Sequence, residues 1–125
     1  MEASEETEFL DYFKMPWAKK FMRQAEVVNR VKVDRTGPAG KCERNVFSYL
    51  QNNPELMPVV GYINEHGNWI YHLWVYDPRT KQHIETCDLS GVKQGARIGM
   101  VVAVDRPRDW MDLNRQLMNK SGARY

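Results

Sequence analysis

Phe9, Leu10 and Phe13 fall on one side of a short amphipathic helix over residues 5–14, which Pro16 ends or kinks. From Trp17 a second helix is expected, with Phe21, Met22 and Ala25 at helical spacing. Val27 to Val33 alternates after Val28, which suits either a strand or the tail of that helix. Thr36-Gly37-Pro38-Ala39-Gly40 reads as a loop. Val46, Phe47, Tyr49 and Leu50 then set the period of a helix over 42–51, which Asn52-Asn53-Pro54 stops. Strands are expected over 59–63, 69–76 and 82–86, joined by turns at Glu65-His66-Gly67-Asn68 and Asp77-Pro78-Arg79-Thr80. Leu89 to Gly99 reads as loop and Met100–Val104 as a buried strand. Asp109 caps a last helix with Trp110, Leu113, Leu117 and Met118 inward.

Helices, one central helix, an antiparallel meander and a closing helix make an α+β pattern. The chain has 125 residues, enough for one domain and one core. It divides into a helical segment (1–36), a helix-plus-sheet core (37–104) and a C-terminal helix (105–125). No apolar run approaches the roughly 20 residues of a membrane helix. Residues 1–6 are acidic and lack the basic and apolar regions of a secretory signal, so the expected compartment is the cytosol.

Net charge is only +2, but it is unevenly spread. Glu2, Glu5, Glu6, Glu8 and Asp11 precede Lys14, Lys19, Lys20, Arg23, Arg30, Lys32 and Arg35. Such a basic stretch is either a solvated face or a weak, salt-sensitive phosphate contact.

Two cysteines, Cys42 and Cys87, are too few for a disulfide framework or a cysteine-based zinc site. They can pair with each other, though free thiols are the default in a reducing compartment. Cys42 follows a glycine-containing loop and opens the central helix, where backbone N–H groups and the helix dipole favour a thiolate. Gly37 and Gly40 allow a close backbone approach to a substrate. His72 lies mid-strand, and as a base it needs a third group to fix its tautomer. Glu85 on the next strand, or Asp88, is placed to supply one. The competing readings are a buried packing cysteine and a satisfied core histidine.

Cys42-Glu43-Arg44-Asn45, Gly61-Tyr62, His72-Leu73-Trp74-Val75 and Ile84-Glu85-Thr86 together resemble a pattern in small phage and bacterial proteins. That family is related to the papain-like and transglutaminase-like cysteine folds, which carry Cys, His and Asp in that order. The resemblance covers residues 40–87 and implies Cys42 as nucleophile, His72 as base and Glu85 as orienting group, with Asn45 structural. Leu73 stands where the pattern has a small residue, and Glu85 where it has Asp.

The expected function is therefore a small cysteine hydrolase or acyl-transfer enzyme acting on an amide or peptide carbonyl. Its partner would be a protein or peptide, and the acceptor water or an amine. The rival is a non-catalytic binding or inhibitor module, for example a phage-encoded one, directed at a host protein or nucleic acid. No cofactor motif occurs, and neither His66 nor His83 has a partner at metal-ligand spacing.

Overall fold

The computed structural model describes residues 4–37, 41–87, 96–103, 112 and 114–116. Helix α1 (Glu5–Phe13) starts at Ser4, whose Oγ accepts the Thr7 N–H at 3.1 Å. Glu5, Glu6 and Glu8 sit in its first turn, at the positive end of the dipole. Lys14 closes it in the left-handed region, with φ 53°. Pro16 then begins α2 (Pro16–Met22), the position where its missing N–H costs nothing. Helix α3 spans Cys42–Asn52.

Six strands follow the order β1-β6-β3-β4-β5-β2 in one mixed sheet. They are β1 (Glu26–Val28), β2 (Val31–Gly37), β3 (Met57–Glu65), β4 (Asn68–Asp77), β5 (Gln82–Cys87) and β6 (Arg97–Val101). The protein is α+β, but the sheet is not the purely antiparallel meander expected, because β2 runs parallel to β5 along one edge. Residues 27–33 resolve into two strands, and Thr36 and Gly37 belong to β2 rather than to a loop. The last strand begins at Arg97, inside the stretch expected as loop, because it pairs with β3 from Arg97 to Val101. Of the expected C-terminal helix, only Asp112 and residues 114–116 are described, and these are helical.

The β3–β4 hairpin turns through His66 and Gly67, both with positive φ, and Asn64 Oδ1 accepts the Gly67 N–H at 2.9 Å. Strands β1 and β2 lie at opposite ends of the strand order yet only Asn29 and Arg30 separate them. The sheet therefore curls until its edges approach.

Alternation then sends side chains to two environments. The outer face carries Val60, Tyr62, Tyr71, Leu73, Val75 and Ile84 against Phe9, Ala18 and Phe21 of the first two helices and Cys42 and Val46 of α3. Phe9 packs edge-on against Phe13, Trp17 and Trp69. Full burial of each such side chain contributes about 1.5–3 kcal/mol. The inner face holds Val28, Val59 and Trp74. Gly61 and Gly99 face each other across β3 and β6, and Trp74 fills the space above them. A Cβ on Gly99 would lie 2.6 Å from the indole, and one on Gly61 also 2.6 Å. These glycines are the floor on which the tryptophan lies.

Candidate thiol, imidazole and carboxylate site

The site grows out of the inner face. On β4, His72 and Trp74 share that face, and on β5 so do His83 and Glu85, since Tyr76 pairs with His83 and Val75 with Ile84. Arg97 joins them from β6, opposite Ile63 of β3. His72 Nε2 lies 2.9 and 2.8 Å from the two Glu85 oxygens. An ionised carboxylate only accepts, so Nε2 carries the proton and Nδ1 is the ring's remaining proton site. Arg97 Nη1 donates to Glu85 Oε1 at 2.6 Å, and the Cys87 N–H donates to Oε2 at 3.0 Å. Burial pushes the Glu85 carboxyl up, but the His72 hydrogen bond and charge, the Arg97 charge and the Cys87 amide together hold it below its ordinary value.

The ring of His72 stacks on Trp74 at 6.2 Å, and the Arg97 guanidinium lies 5.0 Å from the indole centroid. Trp74 Nε1 donates to His83 Nδ1 at 2.9 Å, and His83 Nε2 lies 3.5 Å from Glu26 Oε1. Burial lowers the His83 pKa, with Glu26 opposing and Arg97 assisting.

Registered pairing of β4 with β5 ends at Val75 and Ile84. Cys42, at the start of α3, packs in one core cluster with Leu73, Val75, Ile84 and Cys87 and is 1 % exposed. Burial pushes its thiol up, the hydrogen bond with Cys87 adds to this, and the Leu73 backbone opposes it. The helix terminus that favours a thiolate at Cys42 is thus outweighed by desolvation. Among the described residues no hydrogen bond joins Cys42 to His72. Cys87 takes that place: its sulfur, the His72 ring and the Glu85 carboxylate have ligand atoms all within 4.8 Å of one another. Asn45, one turn into α3, donates Nδ2–H to Cys87 Sγ at 3.2 Å. The hydrogen bond from Cys42, with that from Asn45, lowers the Cys87 pKa against burial.

The structure therefore brings His72 and Glu85 into contact and seats Cys42 beside Cys87. Asp88 lies outside the described residues. Cys87 and Arg97 are the residues the sequence reading left out of the site. The signal for Cys87 was present, because it stands two positions after Glu85 on the same strand and shares its face. Arg97 had none, being one of two cations, with Lys93, in a stretch that reads as loop. In the same first turn of α3, next to Cys42, Glu43 accepts a hydrogen bond from Asn114 Nδ2, and Asn114 Oδ1 accepts the Tyr71 hydroxyl at 2.6 Å. Lys14, Lys19, Lys20, Arg23, Arg30 and Lys32 are all exposed. No described helix is long and apolar enough to cross a membrane.

No family model matches this chain, and no curated protein or solved structure matches it either.

Proposed function

We propose that the chain is a small cysteine hydrolase or acyl-transfer enzyme of papain-like or transglutaminase-like arrangement. The observation that carries the reading is the His72–Glu85 hydrogen bond with the Cys87 sulfur beside it. In this reading Cys87, rather than the Cys42 chosen by motif resemblance, attacks the carbonyl carbon of an amide or peptide. His72 takes the thiol proton and returns it to the leaving amine, while Glu85 holds the ring by its Nε2–H. Arg97 keeps Glu85 ionised, and Cys42 donates a hydrogen bond to the nucleophile. Water or an amine then releases the acyl group. Nucleic-acid contact through the exposed lysines and arginines is weak and lost at physiological salt.

The test is turnover of activated acyl esters and peptide amides by the wild type and by Cys87→Ala, Cys42→Ala and His72→Ala. Loss of at least about 100-fold with Cys87→Ala and His72→Ala supports the reading. Dependence on Cys42 with Cys87 dispensable returns the nucleophile role to Cys42.

A second reading, a non-catalytic module that binds a host protein, is favoured by one observation. His72, Glu85, Cys42 and Cys87 are all buried, at 6, 0, 1 and 1 % exposure. Wild-type turnover no faster than that of the His72→Ala variant would select it.

A further inference from the structure

The His72, Glu85 and Cys87 cluster is also a set of metal ligands. It presents one imidazole nitrogen, one carboxylate oxygen and one thiol, all buried and all within 4.8 Å of one another. A tetrahedral zinc ion with bonds of about 2.0–2.3 Å spaces its ligand atoms roughly 3.3–3.8 Å apart. His72 Nε2 and Glu85 Oε2 stand at 2.8 Å, so they need only separate slightly while the sulfur closes in. We propose that this cluster binds one Zn²⁺ ion through His72 Nε2, Glu85 Oε2 and Cys87 Sγ.

The surroundings fit that role. Glu85 Oε1 is fixed by Arg97 Nη1 at 2.6 Å and Oε2 by the Cys87 N–H at 3.0 Å, so the carboxylate plane is set, and the lone pair of Oε2 that now faces His72 Nε2 is the one to turn to an ion. On binding, the Cys87 proton is released and the ring proton moves from Nε2 to Nδ1. The Arg97 guanidinium repels any cation placed beside Glu85. That repulsion selects against hard ions held by charge alone, and it leaves room for ions whose thiolate bond outweighs it, such as Zn²⁺, Co²⁺ and Cd²⁺. The inference rests on the same three side chains as the proposed enzyme, and bound zinc would occupy its nucleophile and its base, switching it off. Metal binding is nevertheless read without any activity measurement. A chain that binds zinc but turns over nothing fails only as an enzyme, and an active chain that ignores zinc fails only as a metal site.

The experiment titrates the reduced, chelator-stripped full chain with Zn²⁺ against a chromophoric chelator, and with Co²⁺ for its absorption spectrum. The expected result is one Zn²⁺ per chain, a thiolate-to-cobalt charge-transfer band, and no competition from excess Mg²⁺ or Ca²⁺. Cys87→Ser abolishes the band and weakens binding by at least about tenfold, whereas His66→Ala in the exposed β3–β4 turn leaves both unchanged. A second measurement, independent of how the Cys87 variant folds, uses the unaltered chain. Zinc should slow alkylation of Cys87, mapped by mass spectrometry, by about tenfold or more. No zinc uptake, a cobalt band that survives Cys87→Ser, or Cys87 alkylation indifferent to zinc would overturn the site.

Discussion

His72 Nε2 meets the Glu85 carboxylate at 2.8 Å in a place where Glu85 has no solvent exposure and Arg97 holds the opposite oxygen at 2.6 Å. A carboxylate so enclosed stays ionised only because its partners outweigh its loss of hydration. Removing one member leaves the others charged or polar without a partner, and that asymmetry governs what substitutions do here.

Glu85→Gln leaves the Arg97 cation buried without a counter-charge. It should destabilise the fold by about 3–5 kcal/mol, read from the urea unfolding midpoint. An unchanged midpoint would mean that water, not Glu85, satisfies Arg97.

The same group sets an acid limit. Its folded pKa lies below its ordinary value of 4.5, so the unfolded chain binds the proton more readily. The stability it contributes is complete above about pH 4.5 and is lost as pH falls through the depressed folded value. Urea midpoints measured from pH 6 down to pH 3 should fall in the wild type and fall less steeply in Glu85→Gln.

His83 should titrate below its ordinary 6.5, because burial disfavours its charged form; its Nδ1 also accepts the Trp74 N–H, where protonation would set two donors face to face. A lowered base binds its proton more readily in the unfolded chain, so its contribution is present above pH 6.5 and is lost as pH falls through the folded value. Imidazole NMR titration should place the His83 midpoint below 6.5, with the Trp74 indole resonance shifting in the same step. A midpoint at or above 6.5 contradicts the geometry.

Alkylation should separate the two thiols. Iodoacetamide at neutral pH is expected to modify Cys87 before Cys42, since burial raises Cys42 while its hydrogen bond lowers Cys87. Faster modification of Cys42, mapped by mass spectrometry, would restore the assignment made from its place at the helix terminus.

Gly61→Ala should cost about 1–3 kcal/mol or more, because its Cβ meets both the Ile98 carbonyl and the Trp74 ring. Pairing it with Trp74→Phe should recover part of that loss, which a thermal melt would reveal.

The helices and the central hairpin were legible because their signals are local. Phe9 and Phe13 mark the inner side of α1, and the His66–Gly67 turn separates two aromatic-rich strands. The meeting of His72 and Glu85 was legible too, since a hairpin turn and period-two alternation place them together. The parallel edge was not, because nothing local in Val31–Gly37 says that it pairs with β5 rather than with its sequence neighbours. Arg97 was missed for a related reason: Ile98-Gly99-Met100 is a weak strand pattern, and only pairing with β3 makes it one. Cys42 was judged by its place at a helix terminus and by a motif resemblance, and its burial, which outweighs the dipole, comes from packing against residues distant in sequence, such as Leu73 and Cys87.

The two-residue link between β1 and β2 has a consequence for how the chain is made. Glu26 finds its sheet partner in Gly99, while Val31, a few residues later, pairs with His83. On the ribosome, β1 must wait with exposed edges until β6 has emerged, long after the β3–β4 hairpin can form. Pairings so distant in sequence fold slowly, on the order of milliseconds to seconds. During that interval Val27 and Val28 offer an unpaired strand to other copies of the chain, so holding β1 captive until β6 arrives is where synthesis is most exposed to aggregation.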